Sequence, residues 1–420
     1  MEKAKKFLGI LLSICMCAAM LAGCGGGSSD SSSGGDSGSS DSDFKFGAVL
    51  VGDENEGYTY SHIEGIQNAM KELGLTDDNI VWKYSIPEDE SCYDAIADCI
   101  DQGCTLVVTN SYGHQSFAQQ AAEDYPDVTI IAMTGDTAAV SGLDNFKNAF
   151  TKIYEARYCG GIVAGLKIKE LVDNGELSDE NYEDGKVKVG YVGAFPYAEV
   201  ISGFTAFFLG IKSVYPDVVM EVQYTQSWFD ITKEKEAAVA LIGDGCCIIG
   251  QHADSTGAPS ACEEALNSGK TVYSVGYNVD MLSTAPNAAL TSPTNVWEVY
   301  YEYALQAAMD GDEIETNVAE GYAEGAVKLT PFGDACAEGT EDAVNEAIEG
   351  IKDGTLHVFD TSTFTVDGKE LTSYMANVEP DDNYEGDTEA ISDGYFHESE
   401  YRAAPYFDII IDGITELNNN

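Results

Sequence analysis

Apolar residues recur along this chain in two alternating rhythms. Short runs in which most positions are apolar, at residues 46–51, 80–84, 106–108 and 128–133, read as buried strands. Between them the spacing changes to threes and fours. Ile63, Ile66, Met70 and Leu73 share one helical face, and Gly74 stops that helix. Tyr93, Ile96 and Ile100 mark a second helix ended at Gly103; Phe117, Ala121 and Ala122 mark a third, ended before Pro126. A helix at about 153–169 and a polar stretch at 173–186 follow, and then the pattern restarts. Strands at 187–192, 218–224, 247–250 and 271–276 alternate with a helix bearing Val200, Phe204, Phe207, Ile211 and Val214, and with helices at 233–242 and 260–267. Residues 330–358 read as helical with a strand end. Residues 369–420 form an acidic, aromatic tail whose alternation suggests a strand packed on the second half. Such alternation predicts an α/β fold in two similar halves, each a mostly parallel sheet flanked by helices.

The first residues do not fit that pattern. Lys3, Lys5 and Lys6 precede an apolar run at 7–21, too short and too close to Met1 for a spanning helix, so the order is that of a secretory signal. Leu21-Ala22-Gly23-Cys24 resembles the lipobox of bacterial lipoproteins, which implies cleavage before Cys24 and diacylglycerol on its sulfur. Residues 25–43 are almost wholly Gly, Ser and Asp, a composition that forms no core and suits a solvated linker. A folded body from about Phe44 is too long for one ordinary core, so two domains are expected.

The formal net charge is −51, from 72 acidic and 21 basic residues. It excludes a nucleic-acid partner and disfavours anionic ligands. Of the 11 cysteines, Cys15 and Cys17 leave with the signal. Cys92, Cys99, Cys104, Cys159, Cys246, Cys247, Cys262 and Cys336 lack metal spacing and sit mostly in apolar stretches, as small hydrophobes do. Export would allow some of them to form disulfides.

In doubly wound sheets ligands sit at the carboxyl ends of strands. The segments there are Gly52 to His62, Asn110-Ser111-Tyr112-Gly113-His114, Gly193-Ala194-Phe195-Pro196, Ser227-Trp228-Phe229-Asp230, Gln251-His252-Ala253-Asp254-Ser255, Gly276-Tyr277-Asn278-Val279-Asp280 and Ser292-Pro293-Thr294-Asn295-Val296-Trp297. Together they set aromatics beside Asp, Asn and Ser. Aromatic faces stack on planar rings, and carboxylates and amides read ring nitrogens or hydroxyls. One such loop is ordinary; their recurrence predicts a cleft for a planar polar ligand. Candidate contacts are Asn55, Tyr58, Ser111, Tyr112, Phe195, Trp228, His252, Asp254, Asn278, Asp280 and Trp297, whereas Tyr60, Phe229 and His114 read as structural.

At these residues the chain resembles the basic membrane lipoproteins, substrate-binding proteins of the purine-nucleoside ABC transporter type. The resemblance is carried by Gly57-Tyr58-Thr59-Tyr60-Ser61-His62, Tyr191 to Pro196, Ser227-Trp228-Phe229-Asp230, Gln251 to Ser255, Gly276 to Met281, Ile153 to Tyr158 and Asp353 to Phe359. It implies a two-lobed type I periplasmic-binding fold with a cleft between lobes. The implied parts are a lipoprotein signal at 1–23, lipidated Cys24 with a linker to 43, an N-terminal lobe at 44–160 plus about 275–325, and a C-terminal lobe at 161–274 plus about 326–420. It further implies a monomer, tethered by lipid on the extracytoplasmic face of the cell membrane, that captures a purine for an ABC permease. Tyr58 falls where the family usually has a stacking phenylalanine, and Asn55 near its ligand-binding Asp. Asn278 stands where many members hold the ribose with Asp, Asp280 matches a second acidic position, and no lysine occurs near Asn295 or Trp297. These departures bear on ribose recognition, and the Trp228-Phe229-Asp230 and Gln251-His252-Ala253-Asp254-Ser255 motifs resemble those of a branch that binds a free base. Tyr58 with Trp228 or Phe195 would sandwich it, and Asp254 and Asn278 would read its edge.

Other functions find less support. His252, Asp254 and Ser255 are too close in sequence for a catalytic relay. Neither a Gly-x-Ser-x-Gly elbow, a phosphate loop nor a metal motif occurs, so neither enzyme nor cofactor is expected. Asp53-Glu54-Asn55-Glu56-Gly57 with Glu64 has the composition of a calcium loop, but its glycine is one place early. A ligand-binding sensor acting through a membrane partner would share the fold, and a flavin would share the stacking chemistry.

Overall fold

The computed structural model describes residues 44–380 and 385–419. The signal, Cys24 and the linker lie outside the described residues.

The first half runs β1 (Phe46–Val49), α1 (Gly57–Glu72), β2 (Ile80–Lys83), α2 (Ser91–Asp101), β3 (Leu106–Thr109), α3 (Gln115–Asp124), β4 (Thr129–Met133), α4 (Ala138–Ser141) and β5 (Phe146–Thr151). Apolar runs become the strands, and β1 and β3 are buried along their whole length. Helix ends follow glycine: Gly74 and Gly103 take positive φ of 71° and 94°, a conformation in which a Cβ would be strained. α5 (Ile153–Asn174) and the short β6 (Tyr182–Glu183) lead into the second half: β7 (Lys186–Gly193), α6 (Ala198–Val214), β8 (Val218–Tyr224), α7 (Ile231–Gly243), β9 (Ile248–Gln251), α8 (Gly257–Asn267), β10 (Tyr273–Val275) and β11 (Ala289–Thr291). Then come β12 (Pro293–Asn295), α9 (Glu298–Asp310), β13 (Asn317–Glu320), β14 (Val327–Leu329) and α10 (Thr340–Lys352). The tail adds hairpin pairs β15 (Met375–Ala376) with β16 (Thr388–Glu389) and β17 (Ile391–Ser392) with β18 (Tyr395–Phe396), and ends in β19 (Ile414–Glu416).

Two parallel sheets result, the cores of the two lobes. One has the order β13-β5-β4-β3-β1-β2, the other β11-β10-β9-β7-β8-β19. The chain therefore crosses to the second lobe after β5, returns through β12 and α9 to place β13, and crosses again through β14. β12 and β14 pair antiparallel between these crossings. β11 stands in the second sheet, beyond residue 275, where the sequence reading returned the chain to the first lobe. Among the described residues no helix is long and apolar enough to cross a membrane.

Three expectations change. β5 went unread because Lys147, Asn148 and Thr151 interrupt it, yet all its residues are buried. Asn148 makes this possible: its Oδ1 accepts from Ala138 N at 2.7 Å and its Nδ2 donates to Ala132 O at 3.0 Å. The helix expected over 330–358 covers only α10, which begins after Gly339 with φ 83°, and no strand closes it. The tail does add a strand to the second sheet, but it is β19, beyond the aromatic stretch that suggested it. The eight cysteines of the described body are free thiols, all but Cys336 buried.

Candidate functional site

The carboxyl ends of both sheets converge on one small, nearly filled pocket with about 30 Å³ of free volume. From the first lobe come Glu56, Tyr58, Asn110, Ser111, Tyr112 and Thr134. From the second come Glu199, Trp228, His252, Asp254 and Tyr277. A backbone hydrogen bond already spans the lobes, from Gly57 N to Asp254 O at 3.2 Å.

Glu56 precedes α1 and turns inward. A Cβ on Gly52 would fall 2.0 Å from its Oε2, so glycine there leaves room for the carboxyl. Thr59 Oγ1 donates to Glu56 and accepts from Asn110 Nδ2 at 3.2 Å, while Asn110 Oδ1 receives Val51 N at 2.8 Å. Burial raises Glu56 to about 7, against the opposing hydrogen bond from Thr59; Asp53, Glu88 and Glu234 push in the same direction as burial. Asp254 is raised well above the usual carboxylate range, by burial first and then by Glu56, Glu234 and Glu199. Glu234 lies behind it, raised to about 7 by burial, and accepts Asp230 N and Ser255 N at 3.0 Å each.

His252 is buried, and desolvation with the nearby Arg157 lowers it to about 4. It is neutral at pH 7, so its Nε2, 3.0 Å from Glu199 Oε1, carries the proton and donates it. Its Nδ1 and the Tyr58 hydroxyl are buried without a partner. Beneath the pocket the buried Arg157 donates to Tyr191 Oη at 2.6 Å and Gln251 O at 2.9 Å, with its guanidinium 3.9 Å from the Tyr277 ring centre. Two residues near the cleft hold left-handed backbone without being glycine: Thr134 (φ 64°) and Asn278 (φ 59°). Such strain persists where surrounding structure enforces it.

The structure distributes the sequence candidates as follows. Tyr58, Ser111, Tyr112, Trp228, His252 and Asp254 line the pocket. Phe195 sits one layer out, stacked on Tyr197 at 5.1 Å and edge-on to Trp228 at 5.0 Å. Asn278 supports from behind, donating to Asp254 Oδ1 at 3.3 Å and accepting from Asn295 Nδ2 at 2.8 Å. Asn55 is exposed and donates to Asp53 Oδ1. Asp280 is exposed and caps Leu282 N at 2.8 Å. Trp297 is buried between α1 and α9, stacked on His62 at 4.2 Å with its Nε1 donating to Ser61 Oγ. His114 is buried against Ile86 O, and Tyr60 and Phe229 are exposed.

Glu56, Asn110, Thr134, Glu199 and Tyr277 went unnamed. Glu56 lay in the acidic run beside Asn55, and Asn110 and Tyr277 lay in the loops already singled out. Thr134 follows β4, the strand end the sequence reading passed over. Glu199 is in the first turn of α6, marked by no local pattern.

The groups of a catalytic relay do not meet: His252 faces Glu199, and Ser255 Oγ accepts Gly257 N at 3.1 Å. Among the described residues no three His, Cys, Asp or Glu side chains are placed to hold a metal ion. The pocket instead offers aromatic faces and carboxylate acceptors, which suit a planar molecule rich in N–H or O–H donors.

Comparison with known proteins places the chain among transport receptors. A family model described as "ABC transporter substrate-binding protein PnrA-like" matches residues 49–351. A purine-binding protein of Brucella abortus is 29% identical over 332 residues, 79% of this chain and 87% of the relative. An ABC transporter nucleoside-binding protein of Lactococcus lactis is 26% identical over 273 residues, 62% of this chain and 70% of the relative. Among solved structures, an ABC transporter solute-binding protein from Aeropyrum pernix superposes with a TM-score of 0.61 at 17% identity, covering 75% of this chain and 93% of the other; it speaks for the fold.

Proposed function

Because the chain belongs to the family of PnrA-like ABC transporter substrate-binding proteins, we propose that it captures a purine base or nucleoside outside the cell membrane and delivers it to an ABC permease. One observation carries this reading. Aromatic side chains from both lobes, Tyr58 and Tyr112 from one and Trp228 and Tyr277 from the other, enclose a pocket whose ionisable lining is acidic apart from the neutral His252. The names of the purine- and nucleoside-binding relatives support the same ligand class.

The mechanism is capture by closure. Open lobes admit the ring, aromatics stack on it, and the carboxyls of Glu56 and Asp254 accept its N–H donors. Contacts from both lobes then stabilise the closed form by population shift. Arg157 stays beneath Tyr277 as a fixed cation that offsets part of the carboxylate field. No residue performs proton chemistry on the ligand, so the protein acts as a receptor and not as an enzyme. Cys24 is the lipid anchor, the linker to 43 is the tether, and the docking form is a monomer. A sensor working through a membrane partner would use the same cleft.

Trp228 supplies the test. Adenine, adenosine, guanosine, riboflavin and glucose are titrated while tryptophan emission is followed. A purine should quench a saturable fraction of the emission, and Trp228→Phe should remove that fraction. Quenching by riboflavin alone would move the assignment to flavins. Silence with every ligand would remove the purine reading.

A further inference from the structure

The family match ends at residue 351, yet the chain beyond it returns to the cleft. Its far end is fixed by β19 on the second sheet. Nearer the crossing, Tyr154 Oη donates to Glu398 O at 3.2 Å. Ahead of and between these anchors, Asn377, Pro380 and residues from Arg402 to Asp408 wall a second cavity of about 460 Å³. Tyr112, Thr134 and Glu199 line both this chamber and the inner pocket, so the two spaces adjoin.

Arg402 ties the wall together. Its guanidinium donates to the backbone carbonyls of Asn377, Val378, Ala404 and Pro405 and reaches Asp136 of the first lobe at 3.6 Å. Asp136 in turn accepts from Tyr112 Oη at 3.2 Å and Gln115 Nε2 at 2.8 Å. Tail, first lobe and pocket aromatic thus share one network.

We infer that the C-terminal segment builds a second subsite, which receives an uncharged, hydroxyl-bearing substituent on the planar ligand. The inference rests on the purine reading above and assigns the substituent's place. Asp136, Glu199 and Asp408 line the chamber and accept from hydroxyls while repelling phosphate. Arg402 spends its donors on carbonyls and Asp136 and offers little to an anion. The side-chain oxygen of Asn377, on the same wall, is buried without a hydrogen-bond partner. The volume lies in the range of roughly 300–1,000 Å³ typical of small-molecule sites. The inner pocket as it stands has room for little more than a water, so a base enters it only as the lobes open; the ligand that then reaches both spaces is a nucleoside with its base inward and its sugar against the tail, whereas the free base reaches only the inner one.

Equilibrium dialysis of the whole chain with labelled adenine, adenosine and AMP tests this, using the wild type, Asn377→Trp to fill the chamber, and Asp408→Asn at an exposed side chain. The wild type should hold adenosine at least about tenfold more tightly than adenine, and the nucleotide AMP more weakly than adenosine. Asn377→Trp should erase the adenosine advantage and leave adenine within about twofold; Asp408→Asn should weaken adenosine alone. Equal binding of adenine and adenosine by the wild type, or AMP binding as tight as adenosine, would overturn the subsite and leave the purine reading standing. If Asn377→Trp weakens both ligands together, Asp408→Asn decides: an unchanged adenosine affinity there overturns the subsite. Failure of every purine to bind the wild type overturns both.

Discussion

Glu56 and Asp254 face the ligand space as buried carboxyls whose proton affinity is raised, Glu56 by burial and then by Asp53, Glu88 and Glu234, Asp254 by burial and then by Glu56, Glu234 and Glu199. A ligand N–H that bonds to Glu56 favours the ionised form, so binding should expel a proton. Affinity should then rise between about pH 6 and 7.5 and level off above, and the apparent binding enthalpy should change with the ionisation enthalpy of the buffer. Identical enthalpies in phosphate and Tris would show that no proton leaves. Stacking makes a second demand: Trp228→Ala should cost roughly 1–3 kcal/mol of binding, with the melting temperature checked because Trp228 also packs on Phe195. At this scale the sequence located the loops that reach the pocket more reliably than the side chains that turn into it. Asn55 and Glu56 are adjacent, and only the space above Gly52 decides which turns inward. Trp297 has the character of a stacking residue, yet its indole is taken by His62 and Ser61, partners distant in sequence. Glu199 carries no local signal; its place follows from where α6 begins relative to β9.

Among the elements, α5 and α6 make the tightest approach. A Cβ on Gly210 would lie 2.0 Å from Tyr158 O, and one on Gly161 would lie 2.1 Å from Phe207 O. These backbones can touch only through glycine, and the contact fixes the helix that carries Arg157. Gly210→Ala should destabilise the fold by about 1–3 kcal/mol, measured by urea denaturation; an unchanged midpoint would mean that the helices move apart freely. The strand–helix alternation was legible because each apolar run is local. β5 and β12 were not, because polar residues such as Asn148, Thr151 and Asn295 are satisfied by distant partners, and β14 is only three residues long. Thr151 Oγ1, for instance, donates to Asn295 Oδ1 at 2.5 Å, a contact between a strand end and the segment that recrosses the lobes. The order of the two sheets was also out of reach, since nothing local says that β13 and β19 return to complete them.

For the molecule as a whole, the buried acids set a pH dependence of stability. Glu155 and Glu398, outside the pocket, are each raised to about 7 by burial, despite backbone N–H donors that oppose it. A carboxyl whose folded pKa exceeds its unfolded value contributes stability that is present below about 4.5 and lost as pH rises through about 7. At about 1.4 kcal/mol per unit the upper bound is about 3.5 kcal/mol for each. Unfolding free energy should therefore fall between about pH 5 and 7.5, and Glu398→Gln, which keeps an acceptor for one of the two donors Tyr406 N and Phe407 N, should flatten the slope. An unaltered slope would assign the whole effect to the repulsion of the net charge. Ligand capture in the cleft between the lobes is measured by isothermal titration after unfolding and refolding to strip carried ligand. Saturable one-to-one binding of at least one purine base or nucleoside, with no heat from glucose, is expected. Absence of binding by adenine, adenosine, guanosine and inosine alike would contradict it.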